Sequence, residues 1–262
     1  MNEKEKYFEN CGGITVNTAK TDGYEAEVGK NTDVEQENTE ALNKDTAKEN
    51  DEPLNKDTEL VFIIDESGSM SGYGSDTVGG FNSMIKKQRD GEGRVYVSTV
   101  LFNTSRRVIH DRVDIESVED MTENDYSPRG CTALLDAIGA SIRHISNIHK
   151  YARKEDVPAN TVFVITTDGL ENSSCKYGAD EVRDMIKKKT EENGWEFIFV
   201  AANIDAVKTA GSIGIREERA ANYRQSVDGI ADCYEAMSMF VTKKRKSKKM
   251  ASDDCEWKQN LF

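Results

Sequence analysis

The chain predicts a doubly wound α/β domain: a mostly parallel sheet with helices on both faces and one antiparallel edge strand. Three observations carry that prediction. Leu60-Val61-Phe62-Ile63-Ile64 and Thr161-Val162-Phe163-Val164-Ile165 are short apolar runs rich in β-branched residues and Phe, as strands buried on both faces are. Amphipathic helical segments alternate with such runs over ~180 residues. Each of the two runs leads into a carboxylate and a glycine-containing turn, Asp65 and Asp168. Open parallel sheets place their ligand sites at such strand ends.

In order, Glu59–Asp65 reads as the first strand. The glycines Gly68, Gly72 and Gly74 then lead to a helix at Asp76–Arg89, with Asp76 as its N-cap. Arg94–Phe102 is a second strand and Arg106–Val113 its hairpin partner, the antiparallel edge. Residues 114–129 are polar and read as a loop with one helical turn. Thr132–His149 carries Leu135, Ile138, Ile142 and Ile145 at helical spacing. Asn160–Thr167 is the fourth strand, Ala179–Asn193 a helix, and Trp195–Ala202 the fifth strand. Asp205–Gly211 reads as a short helix, Ala220–Tyr223 as a sixth strand, and Val227–Val241 as the last helix.

Charge divides the chain. Of the formal −13, residues 1–58 carry −8, residues 59–242 carry −9 and residues 243–262 carry +4. Residues 1–58 have few long apolar side chains and are expected to form a disordered acidic arm, with a short hairpin within 7–29. The Leu-Asn-Lys-Asp-Thr string repeats there, at Leu42 and Leu54. Residues 59–242 form the domain, and 243–262 a basic, disordered tail. An acidic domain is ill suited to a nucleic-acid backbone. The tail run Lys243–Lys249 suits nucleic acid, an anionic lipid surface or the acidic arm as well as plain solvation. Five scattered cysteines, without a C-x-x-C pair, fit thiols in a reducing cytoplasm. No secretory h-region follows Met1 and no apolar run is long enough to span a membrane.

The chemistry gathers at strand ends. Asp65, Ser67 and Ser69 place three hard oxygens just past the first strand, as a small hard cation such as Mg²⁺ requires. In a 3-2-1-4-5-6 sheet the first and fourth strands are neighbours, and the crevice between their ends is the switch point. Asp65 and Asp168 then lie side by side, with Thr132, at the start of the third helical region, on the facing wall. Two carboxylates and three hydroxyls leave a coordination position for an incoming acid.

These residues resemble the von Willebrand factor type A family, whose metal-ion-dependent adhesion site reads Asp-x-Ser-x-Ser, a distant Thr and a distant Asp. Asp65, Ser67, Ser69, Thr132 and Asp168 match in order. The strings Asp65–Gly72, Gly79–Asn82, Arg129–Ile138 and Thr167–Asn172 look like stand-alone bacterial or phage members, and the likeness covers roughly 58–241. The resemblance implies direct metal contact for Ser67, Ser69 and, with ligand bound, Thr132. Asp65 and Asp168 would act mostly through water. The cation would be Mg²⁺, with Mn²⁺ or Ca²⁺ as alternatives, and a partner protein's Asp or Glu would complete the shell. The resemblance implies a binding module with no catalytic residue. The rival reading is a metal-dependent phosphohydrolase using the same oxygens.

Other features read as structural. Glu171 and Asn172 are candidates for a rim that a partner touches. Asp205 is a further rim candidate, though a helix N-cap is its simpler role. Ser83-Met84-Ile85-Lys86 has the Ser-x-x-Lys spacing without its companion motifs. No Gly-Lys-Ser/Thr follows the glycines, so no phosphate-binding P-loop is indicated. Three histidines, none sharing a helical face, indicate neither zinc nor a histidine-based catalytic centre.

Overall fold

Six strands form one sheet in the order β3-β2-β1-β4-β5-β6, in a computed structural model that describes residues 56–246, 254–259 and 261. The strands are β1 (Thr58–Asp65), β2 (Val95–Phe102), β3 (Arg106–Asp114), β4 (Asn160–Thr167), β5 (Glu196–Ala201) and β6 (Ala220–Asn222). Only β3 is antiparallel to its neighbour. The helices are α1 (Gly74–Arg89), α2 (Leu134–Tyr151), α3 (Ala179–Asn193), α4 (Ala206–Ser212) and α5 (Val227–Lys246). The expected fold class and strand order are both observed. Residues 1–55 of the acidic arm, with the 7–29 hairpin and the first copy of the repeat, lie outside the described residues, and Thr58 already belongs to β1.

Alternation along β1 explains the two layers, because successive side chains leave opposite faces of a strand. Leu60, Phe62 and Ile64 join Phe81 and Met84 of α1 and Met237 and Phe240 of α5 in one core. Val61 and Ile63 join Ile138 and Ile142 of α2 and Val182 and Ile186 of α3 in the other. Fully burying each such side chain is worth roughly 1.5–3 kcal/mol relative to exposure. The two layers clamp β1 and β4 side by side, with Ile64 opposite Thr166. Their carboxyl ends therefore cannot drift apart.

Several boundaries differ from expectation, each for a local reason. Helix α1 begins at Gly74, not Asp76, because Gly72 takes a positive φ of 97° and turns the chain early. Asp76 lies in the first turn, facing the positive end of the helix dipole, rather than capping it. Helix α2 begins at Leu134, two residues late. Thr132 is held in the preceding loop, where Asn172 Oδ1 accepts a hydrogen bond from its backbone N–H at 2.9 Å.

The largest difference is at the carboxyl end, where 243–262 was expected to be structureless. Helix α5 continues to Lys246, and its cations occupy the last turn, where the helix dipole favours them. Lys244 is buried and pairs with Glu196 at 3.3 Å, while Arg245 donates to the backbone oxygens of Gln88, Glu92 and Gly93. Trp257 packs edge-on against Phe240, with ring centroids 5.7 Å apart. The basic run is therefore partly docked on the domain. Ser247, Lys248 and Lys249 lie outside the described residues.

Candidate metal centre

At the carboxyl ends of β1 and β4 the sheet gathers the expected oxygens. Asp65 and Asp168 are 1% and 3% exposed, and Ser67 and Thr132 are likewise buried. Ser67 Oγ and Ser69 Oγ lie 3.1 Å apart, and Ser69 Oγ donates to Asp168 Oδ1 at 2.6 Å. Gly169 marks the facing wall. A Cβ there would sit 3.5 Å from Thr132 Oγ1 and 3.8 Å from Ser69 Oγ, so glycine keeps the gap between those hydroxyls open. All five sequence-predicted oxygen donors thus converge on one place.

The carboxylates are held by neutral donors alone. Asp65 Oδ1 accepts from the Ser67 backbone N–H at 2.7 Å, and Oδ2 from Thr167 Oγ1 at 2.6 Å. Asp168 Oδ2 accepts from Gln225 Nε2 at 2.6 Å. Among the described residues neither Asp65 nor Asp168 has a Lys, Arg or His partner. Burial pushes the Asp65 carboxyl above its ordinary value against the hydrogen bonds from Thr167 and Ser67, and nearby Asp168 adds to the rise. Two buried like charges without a counter-ion are costly. A divalent cation held by these groups would supply the missing charge, and the donor set, all hard oxygen, would suit Mg²⁺ better than a thiol- or imidazole-loving metal.

The surrounding loops fix this arrangement. Glu66, buried beside Asp65, accepts from Arg107 Nη2 at 3.0 Å and from the Ser127 N–H at 2.6 Å. Its carbonyl accepts from the Arg129 N–H at 2.9 Å, and Gly68 N–H donates to Gly130 O at 3.1 Å. Gly130 has φ +72°, and a Cβ there would fall 2.6 Å from Thr104 Oγ1, so any other residue would be strained and would push aside the hydroxyl that accepts from the Cys131 N–H. Tyr126 OH donates to the Asp65 carbonyl. These contacts deliver the loop carrying Thr132 to the β1 end.

The three rim candidates turn out to be held internally. Glu171 Oε1 accepts from the Ser173 and Ser174 N–H groups, and Oε2 from the Leu135 N–H at 2.9 Å. Asn172 is paired both ways with the Thr132 backbone. Asp205 caps α4 by accepting from Lys208 N–H at 2.9 Å. The first two therefore help to position Thr132 and α2, although Asn172 is itself exposed. Sequence patterning missed Thr167, Glu66, Tyr126 and Gln225. Thr167 stood next to Asp168 in the motif and could have been found; Gln225, on the loop between β6 and α5, carried no signal.

The histidines are elsewhere. His110 stacks on Phe81, His144 pairs with Asp111, and His149 lies 3.4 Å from the buried Glu59 at the opposite end of β1. No helix among the described residues is long and apolar enough to cross a membrane.

Comparison with known proteins follows the same lines. A family model described as von Willebrand factor type A domain matches residues 59–244. The vWF domain of the type V pili tip protein Mfa5 from Porphyromonas gingivalis matches with a TM-score of 0.55 and 9% identity, over 74% of this chain and 98% of that one. Proximal thread matrix protein 1 from the mussel byssus matches with a TM-score of 0.50 and 14% identity, over 72% of this chain and 47% of that one. The chain thus spans about half the length of the mussel protein. Another structure of that mussel protein, described as having a zinc-occupied MIDAS motif, matches at TM-score 0.48 and 13% identity, over 72% and 47%. At such identities the likeness speaks to fold. No curated protein matches the chain.

Proposed function

The chain belongs to the von Willebrand factor type A family, and from that premise we propose that it is a divalent-metal-dependent protein-binding module. Asp65, Ser67, Ser69, Thr132 and Asp168 hold the cation, Mg²⁺ first and Mn²⁺ or Ca²⁺ as alternatives, and an Asp or Glu of a partner protein docks on it. The observation that carries this reading is the pair of buried carboxylates, Asp65 and Asp168, ringed by hydroxyls and lacking any basic partner among the described residues. The bound cation supplies a Lewis-acidic point to which a carboxylate oxygen is drawn.

The protein's own groups do the rest. Asp65 and Asp168 contribute negative charge, held in place by Thr167 and Gln225. Ser67 and Ser69 offer hydroxyl oxygens from a short 3₁₀ turn and its entry, and Asn172 pins the backbone of Thr132. Among the described residues the three histidines stack or pair away from the site, and its carboxylates are read as groups that hold the metal. The module is therefore read as non-catalytic. Free thiols at Cys131, Cys175, Cys233 and Cys255 support a reducing, cytoplasmic setting, in a bacterial or phage complex as the motif strings suggest.

Isothermal titration of metal-stripped protein with MgCl₂ tests the reading. One site is expected in the wild type, lost in both Asp65→Ala and Asp168→Ala. Equal binding in either variant ends it. Turnover of generic phosphoesters that vanishes with Asp65→Ala would replace it with the phosphohydrolase reading.

A further inference from the structure

Around the metal centre, Asp136, Glu171 and Glu66 are compensated within the fold, whereas Arg129 and Arg224 are exposed. Asp136 accepts from the Cys175, Lys176 and Tyr177 backbone N–H groups at 3.2, 2.8 and 2.9 Å. Glu171 holds the Leu135, Ser173 and Ser174 amides, and Glu66 is buried against Arg107. These carboxylates are already compensated by amide dipoles or a cation, and contribute little outward charge. Arg129 and Arg224, by contrast, are exposed, and neither has a carboxylate partner among the described residues. Elsewhere on the surface Arg94 pairs with Asp114, Arg153 with Asp156 and Arg183 with Asp180, while the exposed Arg106 and Arg216 also have no carboxylate partner among the described residues.

The two arginines belong to segments attached to different acids of the crevice, Arg129 through Glu66 next to Asp65 and Arg224 through Gln225 to Asp168. Arg129 is tied to the β1 side, its N–H donating to the Glu66 carbonyl, and its Nη1 reaches only Ser127 Oγ at 3.3 Å. Arg224 immediately precedes Gln225, whose amide holds Asp168. Beside the crevice, directly after Gly169, Leu170 is 61% exposed, a large apolar side chain left in water. A few residues of extended peptide, at ~3.3 Å each, would span this crest.

We propose that the rim recognises an acidic segment of a partner protein, in which one carboxylate goes to the metal and neighbouring carboxylates pair with Arg129 and Arg224. The inference rests on the metal-site reading above and specifies its partner. It also answers an electrostatic difficulty. Residues 59–242 carry a net −9, which repels an acidic partner at long range. Local positive charge at the docking point offsets that repulsion and sets the register of the bound segment. Leu170 gives the same segment an apolar neighbour to pack against, as interface centres commonly require.

The test uses the full chain in MgCl₂ with three fluorescent Gly-Ser peptides. One carries a single Glu next to Leu, one the same Glu with acids on both sides, and one the same Glu with lysines on both sides. The acid-flanked peptide should bind about tenfold tighter than the single-Glu peptide, as two exposed ion pairs together allow. The lysine-flanked peptide should bind weakest. In the Arg129→Gln/Arg224→Gln double variant the acid-flanked and single-Glu peptides should bind alike, with Mg²⁺ affinity by calorimetry unchanged. Equal binding of all three peptides in the wild type, a preference that survives in the double variant, or no binding of any peptide would overturn the inference. Mg²⁺-dependent binding without preference sinks only this proposal. Peptide binding that persists in EDTA and in Asp168→Ala would sink the metal-site reading along with it.

Discussion

The sheet treats its structural buried acids and the two acids of the β1–β4 crevice in opposite ways. At the amino-terminal end of β1, Glu59 is fully buried, and Arg112 Nε lies 2.8 Å and His149 Nε2 3.4 Å from its Oε2. At the start of β5, Glu196 meets Arg219 at 2.9 Å and Lys244 at 3.3 Å. Arg112 is placed by a distortion of the β2–β3 pairing, where it takes φ +51°. At the carboxyl-terminal end, Asp65 and Asp168 are as deeply buried and have only hydroxyl and amide donors. The same fold therefore supplies protein cations where acids are structural and withholds them at the switch-point crevice. That asymmetry, more than the donor count, supports the proposal that the crevice takes a cation from outside.

The comparison breaks most visibly if the two kinds of acid respond alike to loss of charge. Glu196→Ala removes the carboxylate shared by buried Arg219 and Lys244, and should destabilise the protein by about 3–5 kcal/mol. Urea unfolding measures this, and a change under ~1 kcal/mol would show that the pairing is not compensating burial. Asp168→Asn should act with the opposite sign. Ser69 can reverse its hydrogen bond to suit an amide, and one of two repelling charges is gone, so the variant in EDTA should be more stable by about 1 kcal/mol. In saturating Mg²⁺ the order reverses, because ligand binding stabilises only the form that binds it. Thermal melts with and without metal decide the matter. A destabilised Asp168→Asn in EDTA would place Asp168 among the structural acids.

Much of this was legible in the sequence, for an identifiable reason. The fold class follows from local patterns, the apolar run of Leu60–Ile64 and the helical spacing of Leu135, Ile138, Ile142 and Ile145. The candidate oxygens were legible because Asp65, Ser67 and Ser69 stand at alternate positions from the end of β1 into the next turn, and Asp168 directly follows a strand that the topology makes a neighbour of β1. Illegible were contacts whose partners meet only in three dimensions. Gln225 reaches Asp168 from 57 residues away. Trp257 buries itself on Phe240 after a charged run that reads as tail. Glu171 and Asn172 looked like rim groups because their residue types suit water. Only the positions of the Leu135 and Thr132 amides show that Glu171 and Asn172 are also tied to the loop that carries Thr132.

Gln225 offers the finest test of the asymmetry. Its Nε2 donates to Asp168 Oδ2 at 2.6 Å and approaches the Ser69 carbonyl at 3.4 Å, while its Oε1 accepts from Asn203 Nδ2. Asn203 itself takes φ +58°, an uncommon conformation for a non-glycine residue. The amide thus orients one acid without neutralising it, as groups behind a metal ligand commonly do. In Gln225→Ala, Asp168 keeps its charge and its Ser69 contact but loses the donor that fixes its outer oxygen. Mg²⁺ affinity should fall modestly, by about threefold to tenfold, near the lower end of what loss of such a supporting hydrogen bond costs. Stability in EDTA should fall as well, by ~1 kcal/mol, since a buried carboxylate oxygen is left with one fewer donor. Replacement by Lys separates orientation from charge: Gln225→Lys would place a cation beside Asp168 and convert it into an acid of the Glu196 kind. That variant should be stabilised in EDTA and weakened in Mg²⁺ binding beyond Gln225→Ala, because the added cation competes with the metal for the same carboxylate. Calorimetric titration of the three proteins reads the order directly. If Gln225→Lys binds Mg²⁺ as well as the wild type, the missing protein cation at this end of the sheet has no bearing on metal affinity.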